Sequence, residues 1–505
     1  MKATVWILGD QLCLSHPAFK FAVDKFGKGN VVVLMLESEK RAKRLPYHAK
    51  KLVLLFSAMR HYAGQLRKKG ISVDYRFCSD SDTAIGEHIA EYQPENLILM
   101  SASELGGRIY QQSLAQKFCI PVIQLPDTRF LTGRFDPYPD PQPGKRYVQE
   151  GFYQKMRQNF RLLVESDGQP TGGKWNFDKS NRLRLPADCN PPAPISFPPD
   201  EITRQVMHEV EIKYKTVGNA AGFNLAVTHE EARLASFDFF ENRLHDFGAY
   251  EDAMSYQTST VYHSRLSPYL NLGLLDPLWL SREAERRYIK GKAPINSVEG
   301  FIRQLVGWRE YIYWQYWRLM PDISHSNFWD FQRPLPEFFW DGGTDMNCIK
   351  HVLGRVLQDG YSHHIERLMV ICNFCLLARI HPDPVNRWFQ SAYIDAYEWV
   401  TVPNVYGMGL YADGGLVGTK PYISSANYIN KMSDYCRGCR FDHKLRTGDK
   451  ACPFNYLYWS FILDHEDDLR SNPRMGRSLL GLRHLDRETR CLVQENSLRF
   501  LNSLV

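Results

Sequence analysis

Short apolar runs punctuate the first part of the chain, and apolar stripes at helical spacing fill the second half. Thr4 to Leu8, Val31 to Glu37, Val73 to Phe77, Asn96 to Met100 and Pro121 to Leu125 have the length and composition of buried parallel strands. Stretches near 48–69, 84–92 and 106–118 lie between them and read as helices. That alternation predicts a doubly wound α/β domain over residues 1–130. Residues 131–200 break the pattern. Pro137, Pro139, Pro141, Pro143, Pro170, Pro186, Pro191, Pro192 and Pro194 punctuate a polar stretch, which predicts an irregular connector. From 201 to 505 the pattern predicts an all-α domain, with helices near 201–211, 229–246, 275–290, 297–319, 348–379, 385–395, 453–463 and 484–503. Lys350 to Arg379 reads as one long helix, its stripe marked by Val352, Leu353, Val356, Leu357, Leu368, Ile371 and Leu376. His363 and His364 then fall mid-helix. Neighbours on a helix point about 100° apart, so one imidazole can face a cavity while the other braces it.

Composition narrows the class. The 505 residues are 44% hydrophobic, enough for a large core, and 13% aromatic, a surplus that points to stacking or electron transfer. The net charge of +6 permits an anionic partner without demanding one. Lys40, Arg41, Lys43, Arg44, Lys50 and Lys51 cluster, which by default is a solvated face. No run of 18 apolar residues is present, so no membrane span is expected. Eleven cysteines and no secretory signal predict a reducing, cytoplasmic setting, where clustered cysteines are ligands rather than disulfides. A monomer is expected.

Several motifs carry chemistry. His263-Ser264-Arg265-Leu266-Ser267-Pro268 reads as a loop entering a helix, with Ser267 as N-cap and Pro268 at N1, and such a start suits a pyrophosphate. Arg303-Gln304 and Trp308-Arg309 offer polar forks and an indole on adjacent helical turns. Cys436-x-x-Cys439, with Cys452 following and Cys348 upstream, has metal-ligand spacing, which leaves zinc and an iron–sulfur cluster both open. Asp395 and a glycine-rich stretch from Tyr406 to Lys420 follow the histidine-bearing segment, as in the wall of a cofactor site.

Ser264-Arg265-Leu266-Ser267-Pro268-Tyr-Leu, Trp308-Arg309-Glu310-Tyr311, His363-His364-x-x-Arg367 and an Asp395 ahead of Glu398-Trp399 together resemble the photolyase/cryptochrome family. Leu8-Gly-Asp-Gln11 and Gly418-Thr-Lys-Pro-Tyr422 are similar to its iron–sulfur bacterial branch of (6-4) photolyases. The resemblance implies light-driven repair of (6-4) photoproducts in double- or single-stranded UV-damaged DNA. The alternatives are a blue-light receptor with the same cofactors, or a cyclobutane pyrimidine dimer photolyase. It also implies FAD and a [4Fe–4S] cluster in residues 201–505. A 6,7-dimethyl-8-ribityllumazine antenna is implied in residues 1–130. Residue by residue, Ser264, Arg265, Leu266, Ser267, Gln304, Arg309 and Asp395 bind FAD, and Glu37 with Asp10 meets the antenna. Cys348, Cys436, Cys439 and Cys452 hold the cluster. His364 faces the lesion with His363 beside it, Trp340 and Trp388 begin the electron route, and Tyr422 joins the catalytic set. The chain departs from the family pattern at five places. His263 stands where Thr is common, Gly307 is an extra residue before Trp308, and Leu368 replaces a third histidine of animal-type enzymes. Phe389 and Lys40 stand where tyrosines would extend an electron path. Thr401 and Asn404 both remain candidates to face the reactive flavin nitrogen.

Overall fold

Five parallel strands open the computed structural model, which describes residues 1–504 apart from the Arg477 side chain. They are β1 (Ala3–Trp6), β2 (Val31–Ser38), β3 (Ser72–Cys78), β4 (Asn96–Met100) and β5 (Val122–Leu125), in the order β3-β2-β1-β4-β5. Val5 pairs with Val33 and Ile98, and Trp6 with Leu34 and Leu99. Every second side chain therefore faces one side of the sheet. Trp6, Leu34, Leu97 and Leu99 pack with Ile85 and Leu114 on one face, while Val5, Val33 and Ile98 join the main core on the other. The strand order reverses at β1, so the carboxyl ends of β1 and β4 form the switch point where such sheets take ligands. Among the described residues no sheet strand follows Leu125, and none of the helices is long and apolar enough to cross a membrane.

The connector is more regular than its prolines suggest. Gln149–Phe160 is a helix that buries Phe152, Tyr153 and Met156. Three apolar anchors at helical spacing in a polar segment suffice once the all-α region supplies a surface. That surface is a π-helical turn. The run expected over 297–319 is an α-helix at Ile295–Ile302, a π-helix at Arg303–Arg309 and an α-helix at Glu310–Leu319. An extra residue inserted into an α-helix widens one turn into a π-bulge, and Gly307 is that residue by sequence. A Cβ on Gly307 would lie 2.4 Å from Gln149 Nε2 and 3.2 Å from the Tyr153 ring. The connector helix thus seats where this helix carries no side chain.

The long helix expected over 350–379 is broken. Asn347–Asp359 ends at Gly360, which takes a left-handed φ of 62°. A Cβ there would meet Ile394 Cγ2 at 2.5 Å and His48 Cγ at 3.2 Å. The chain turns through Tyr361 and Ser362, and helix resumes as a π-helix at Glu366–Cys372 and an α-helix at Asn373–Leu377. His363 and His364 therefore sit at a helix start and not in a helix middle. Apolar spacing carries across the break because each piece separately buries residues at helical spacing.

Lys40, Arg41, Lys43 and Arg44 form the exposed face expected of the basic cluster, but its end at Lys50 and Lys51 is buried as a clasp between the α/β and all-α regions. Lys50 Nζ pairs with Asp359 (2.8 Å), and Lys51 Nζ donates to the carbonyls of Gln390 (3.0 Å) and Ala396 (2.6 Å). His48 Nε2 meets the Leu357 carbonyl at 3.1 Å. Both lysines are buried because their acceptors arrive from over 300 positions away, which local charge cannot reveal. Gly307→Ala should destabilise the fold by about 1–3 kcal/mol through overpacking against Gln149 and Tyr153. Thermal melts should show a lowered midpoint; an unchanged midpoint would mean the connector helix does not seat there.

Candidate functional site

Asp395 is the hub where three segments meet. Arg367 reaches it with two parallel bonds, Nη1 to Oδ1 (3.0 Å) and Nη2 to Oδ2 (3.1 Å). Ser267 Oγ donates to Oδ2 (2.6 Å), and Asn271 Nδ2 donates to the Asp395 carbonyl (2.8 Å). Burial would raise the Asp395 pKa, but Arg367 and Ser267 hold the carboxyl below its ordinary value. Arg367 Nε also binds the Ser362 carbonyl (2.8 Å), and its guanidinium lies 4.1 Å over the Tyr393 ring. Ser267 is the first residue of a six-residue helix, Ser267–Leu272, whose N-cap is Leu266. Its hydroxyl serves Asp395 and not the helix end, which corrects the capping role expected from Ser-Pro. Arg265 just before it has a left-handed φ of 56° and stacks 4.8 Å over Tyr361, and Ser264 Oγ accepts from the Leu266 amide.

The histidine pair gains a third member. His263 stacks on His363 with ring centres 4.6 Å apart and an 11° tilt, and His364 meets His263 edge-on at 5.3 Å. His263 and His363 are buried, while His364 is exposed. Burial, and then the neighbouring imidazoles, press the pKa of His263 and His363 well below the ordinary value, so both are neutral at neutral pH. Burial also lowers His364, with Glu251 partly opposing it. Behind His363, Glu366 Oε1 lies 3.6 Å from Nε2. The same oxygen accepts from Arg355 Nη1 (2.8 Å) and from the Tyr435 hydroxyl. Burial pushes Glu366 up to about 6 despite Arg355.

Tyr435 leads directly to the cysteines. Cys348, Cys436, Cys439 and Cys452 line one cavity, walled by Met346, Ile429, Phe441 and Phe454. Burial and the other three thiols push Cys348 well up. Cys436 rises to about 11 and Cys452 to about 12, chiefly through burial. Among the described residues no three of these sulfurs lie within 4.8 Å of one another.

The remaining expected residues are dispersed. Gln304 Nε2 donates to Glu251 Oε1 (2.6 Å), and Arg303 reaches Glu251 Oε2 (3.4 Å), so the polar fork grips Glu251. Arg309 sits at the seam with the α/β region, 4.2 Å over Phe130 and bonded to Glu310 (2.7 Å), with Nε and Nη2 free. Trp388 is fully buried, donates to the Phe339 carbonyl (3.0 Å) and packs on the Phe339 ring at 5.1 Å; Trp340 is 43% exposed. Tyr422 is half-buried with Lys420 Nζ 5.7 Å from its ring. Glu37 is closed by a two-pronged bond from Arg60 and by the Tyr75 hydroxyl. Asp10 binds Ser103 and Arg129 through Oδ2, and no bond joins it to Glu37. Sequence reasoning placed Arg367 in a motif but gave it no partner, and passed over Glu366, Glu251 and Tyr435. The Glu-Arg step inside His363-His364-x-x-Arg367 was the available signal.

A parallel-sheet domain joined to an all-α domain has known counterparts. The family model described as deoxyribodipyrimidine photo-lyase-related protein matches residues 5–225. The chain belongs to the photolyase/cryptochrome family. A (6-4) photolyase of Agrobacterium fabrum is 41% identical over 511 aligned residues, spanning 100% of both chains. Among solved structures, a bacterial class III photolyase from Agrobacterium tumefaciens superposes with a TM-score of 0.58 at 16% identity, covering 85% of this chain and 86% of that one. A Synechocystis cryptochrome gives 0.57 at 15% identity, covering 81% and 82%. The last two likenesses speak for the fold alone.

Proposed function

We propose that this protein is a light-dependent DNA-repair lyase that reverses (6-4) pyrimidine–pyrimidone photoproducts. The observation that carries the reading is identity at 41% along the entire length to a (6-4) photolyase. The imidazole cluster at the head of the Glu366–Cys372 segment supports it, because reversal of this lesion needs a proton donor where a substituent returns to its first ring.

FAD fits the residues present. Thr401 Oγ1 is buried without a partner six residues after Asp395, whereas Asn404 Nδ2 is spent on the Val400 carbonyl (2.7 Å). Thr401 is therefore the better of the two candidates for the flavin. Ser264, Ser267, Arg367, Asp395 and Thr401 would hold the cofactor, which when bound supplies the light-driven electron. The chain's own work is positional and protonic. A lesion flipped from the duplex, at a cost of a few kcal/mol, enters beside His364, whose open face can reach it. His364 holds the proton on a ring nitrogen and delivers it as the substituent transfers. His363, neutral and stacked on His263, braces that ring, and Glu366 backs His363. Because burial lowers His364, the protonated ring becomes commoner as pH falls, so repair should rise toward mildly acidic pH.

The cysteine cage suits a [4Fe–4S] cluster better than zinc. Tetrahedral zinc at 2.3 Å from each sulfur draws the sulfurs to about 3.8 Å apart. The cage is wider than that, and four thiols line it beside His443, Asn347 and Tyr435 in an otherwise apolar wall. Iron analysis of anaerobically purified protein should find about four irons per chain, lost in Cys439→Ser; zinc at one equivalent and no iron would defeat the assignment.

Trp388 and Trp340 suit an electron route. One indole is buried and the other reaches solvent, and Phe339, next to Trp340 in the chain, packs on Trp388. Trp388→Phe should block light-driven reduction of the flavin while FAD stays bound; unimpaired reduction would remove Trp388 from the route. For the lumazine antenna, Glu37 as found is a poor fit, since Arg60 and Tyr75 close it. Asp10 lies at the switch point with Oδ1 unbonded and is the better contact. Heat-released chromophore should contain a ribityllumazine beside FAD, and less of it in Asp10→Ala; FAD alone would exclude the antenna.

His364→Ala is the test of the proton donor. It should keep FAD and lesion binding yet lose repair by about 10²-fold or more, the scale of a positioned acid. It should also lose the rise in activity toward acidic pH. Full activity in this variant would remove His364 from the chemistry.

A further inference from the structure

Three imidazoles, two buried and one exposed, converge with lone pairs to spare. One ligand nitrogen from each of His263, His363 and His364 lies within 4.8 Å of the others. Among the described residues this is the only group of three or more His, Cys, Asp or Glu ligand atoms so closely drawn. His263 Nε2 and both ring nitrogens of His363 are buried without a hydrogen-bond partner. Each such orphan costs the fold stability, because its lost contact with water is not replaced. Several in one place create a demand that one small electrophile can meet.

The chemistry of the donors defines the electrophile. A neutral imidazole lone pair is a borderline ligand that suits zinc and its first-row neighbours. His263 and His363 are held neutral by their burial, so no proton competes at neutral pH. The far sides of the buried rings meet oxygen. Glu366 Oε1 stands 3.6 Å from His363 Nε2, and the Glu251 main-chain carbonyl faces the His263 ring. A carboxylate or carbonyl behind a histidine is the arrangement that orients metal-binding imidazoles and raises their basicity.

We propose that His263, His363 and His364 form a site for one borderline divalent transition-metal ion of the zinc type, with its fourth position open to the cleft. Tetrahedral zinc at 2.0–2.1 Å from nitrogen needs ligand atoms about 3.3 Å apart. That closure requires His364, with its open face, to turn inward and the 11° stack of His263 on His363 to open. The site contains no sulfur and is distinct from the cysteine cavity, which His263 and His364 do not line. The bound ion occupies the lone pairs that would otherwise carry the lesion's proton, so a filled site silences His364 as an acid. That consequence rests on the repair reading; the binding of metal does not. With Thr at 263, the residue common in the family, only two imidazoles would remain.

Zinc chloride titrated into the full-length protein, with FAD and the cysteine cage already loaded, tests both statements. Competition with a chromophoric chelator should find one equivalent bound, with affinity falling about tenfold or more in His263→Thr and iron content equal in the two proteins. X-ray absorption at the zinc edge should show a nitrogen and oxygen shell at about 2.0 Å with no sulfur. Repair by the parent should fall at least tenfold under saturating zinc and recover on chelation. His263→Thr, compared with itself, should be far less sensitive. A sulfur shell, no binding, or equal affinity in His263→Thr overturns the site. Nitrogen-bound zinc with undiminished repair overturns the silencing of His364. A parent protein inactive even without zinc counts against the repair reading and leaves the binding result to stand or fall alone.

Discussion

The two-pronged bond between Arg367 and Asp395 is the constraint on which the rest of the helical region depends. It ties the segment after His363-His364 to the loop after Trp388, and Ser267 joins the His263–Leu272 stretch to the same carboxylate. The residue after Asp395 lends its carbonyl to Lys51, so the α/β region is clasped to the same point. Losing one partner of a buried pair of this kind costs about 3–5 kcal/mol, because the other charge is left without compensation. The pair therefore sets the relative positions of four stretches that are far apart in the chain.

Neighbouring residues on one turn serve opposite sides. Arg367 faces the Asp395 hub, while Glu366 faces Arg355, Tyr435 and the back of His363. Tyr435 precedes Cys436 and donates to Glu366, so a buried hydrogen bond links the cysteine cavity to the carboxylate that lies 3.6 Å from His363 Nε2. The turn that carries Glu366 and Arg367 is π-helical, as are Arg303–Arg309 and Pro403–Gly409. A π-turn rotates side chains relative to a regular α-helix, and such turns gather at functional sites. Here they let adjacent positions reach partners that an ideal helix would not align.

The layered sheet was legible because strands covered on both faces are short continuous apolar runs; all five strands lie where those runs are. The helical domain was legible as a class and less so in detail. Periodicity carried through Gly360 although the helix stops there, since the cause is a close approach by His48 and Ile394 from elsewhere in the chain. The extra Gly307 was visible in the motif, but its conversion into a π-turn under the connector helix depends on tertiary packing. Lys50 and Lys51 looked like surface charge because their acceptors lie hundreds of positions away. The cysteine set was readable from spacing and resemblance together. His263 was noticed as a departure, yet its stacking on His363 could be learned only from the fold.

The proposed repair of one kind of lesion by electron and proton delivery can be tested on the protein itself. The most direct measurement is blue-light repair by the parent protein, with reduced FAD verified, on two matched oligonucleotides. One carries a single (6-4) photoproduct and the other a single cyclobutane dimer. Intact pyrimidines should be restored in the first and not at all, or far more slowly, in the second. No repair of either would contradict the proposal and favour a light receptor, and repair of the dimer alone would contradict the substrate while leaving the fold and the hub intact.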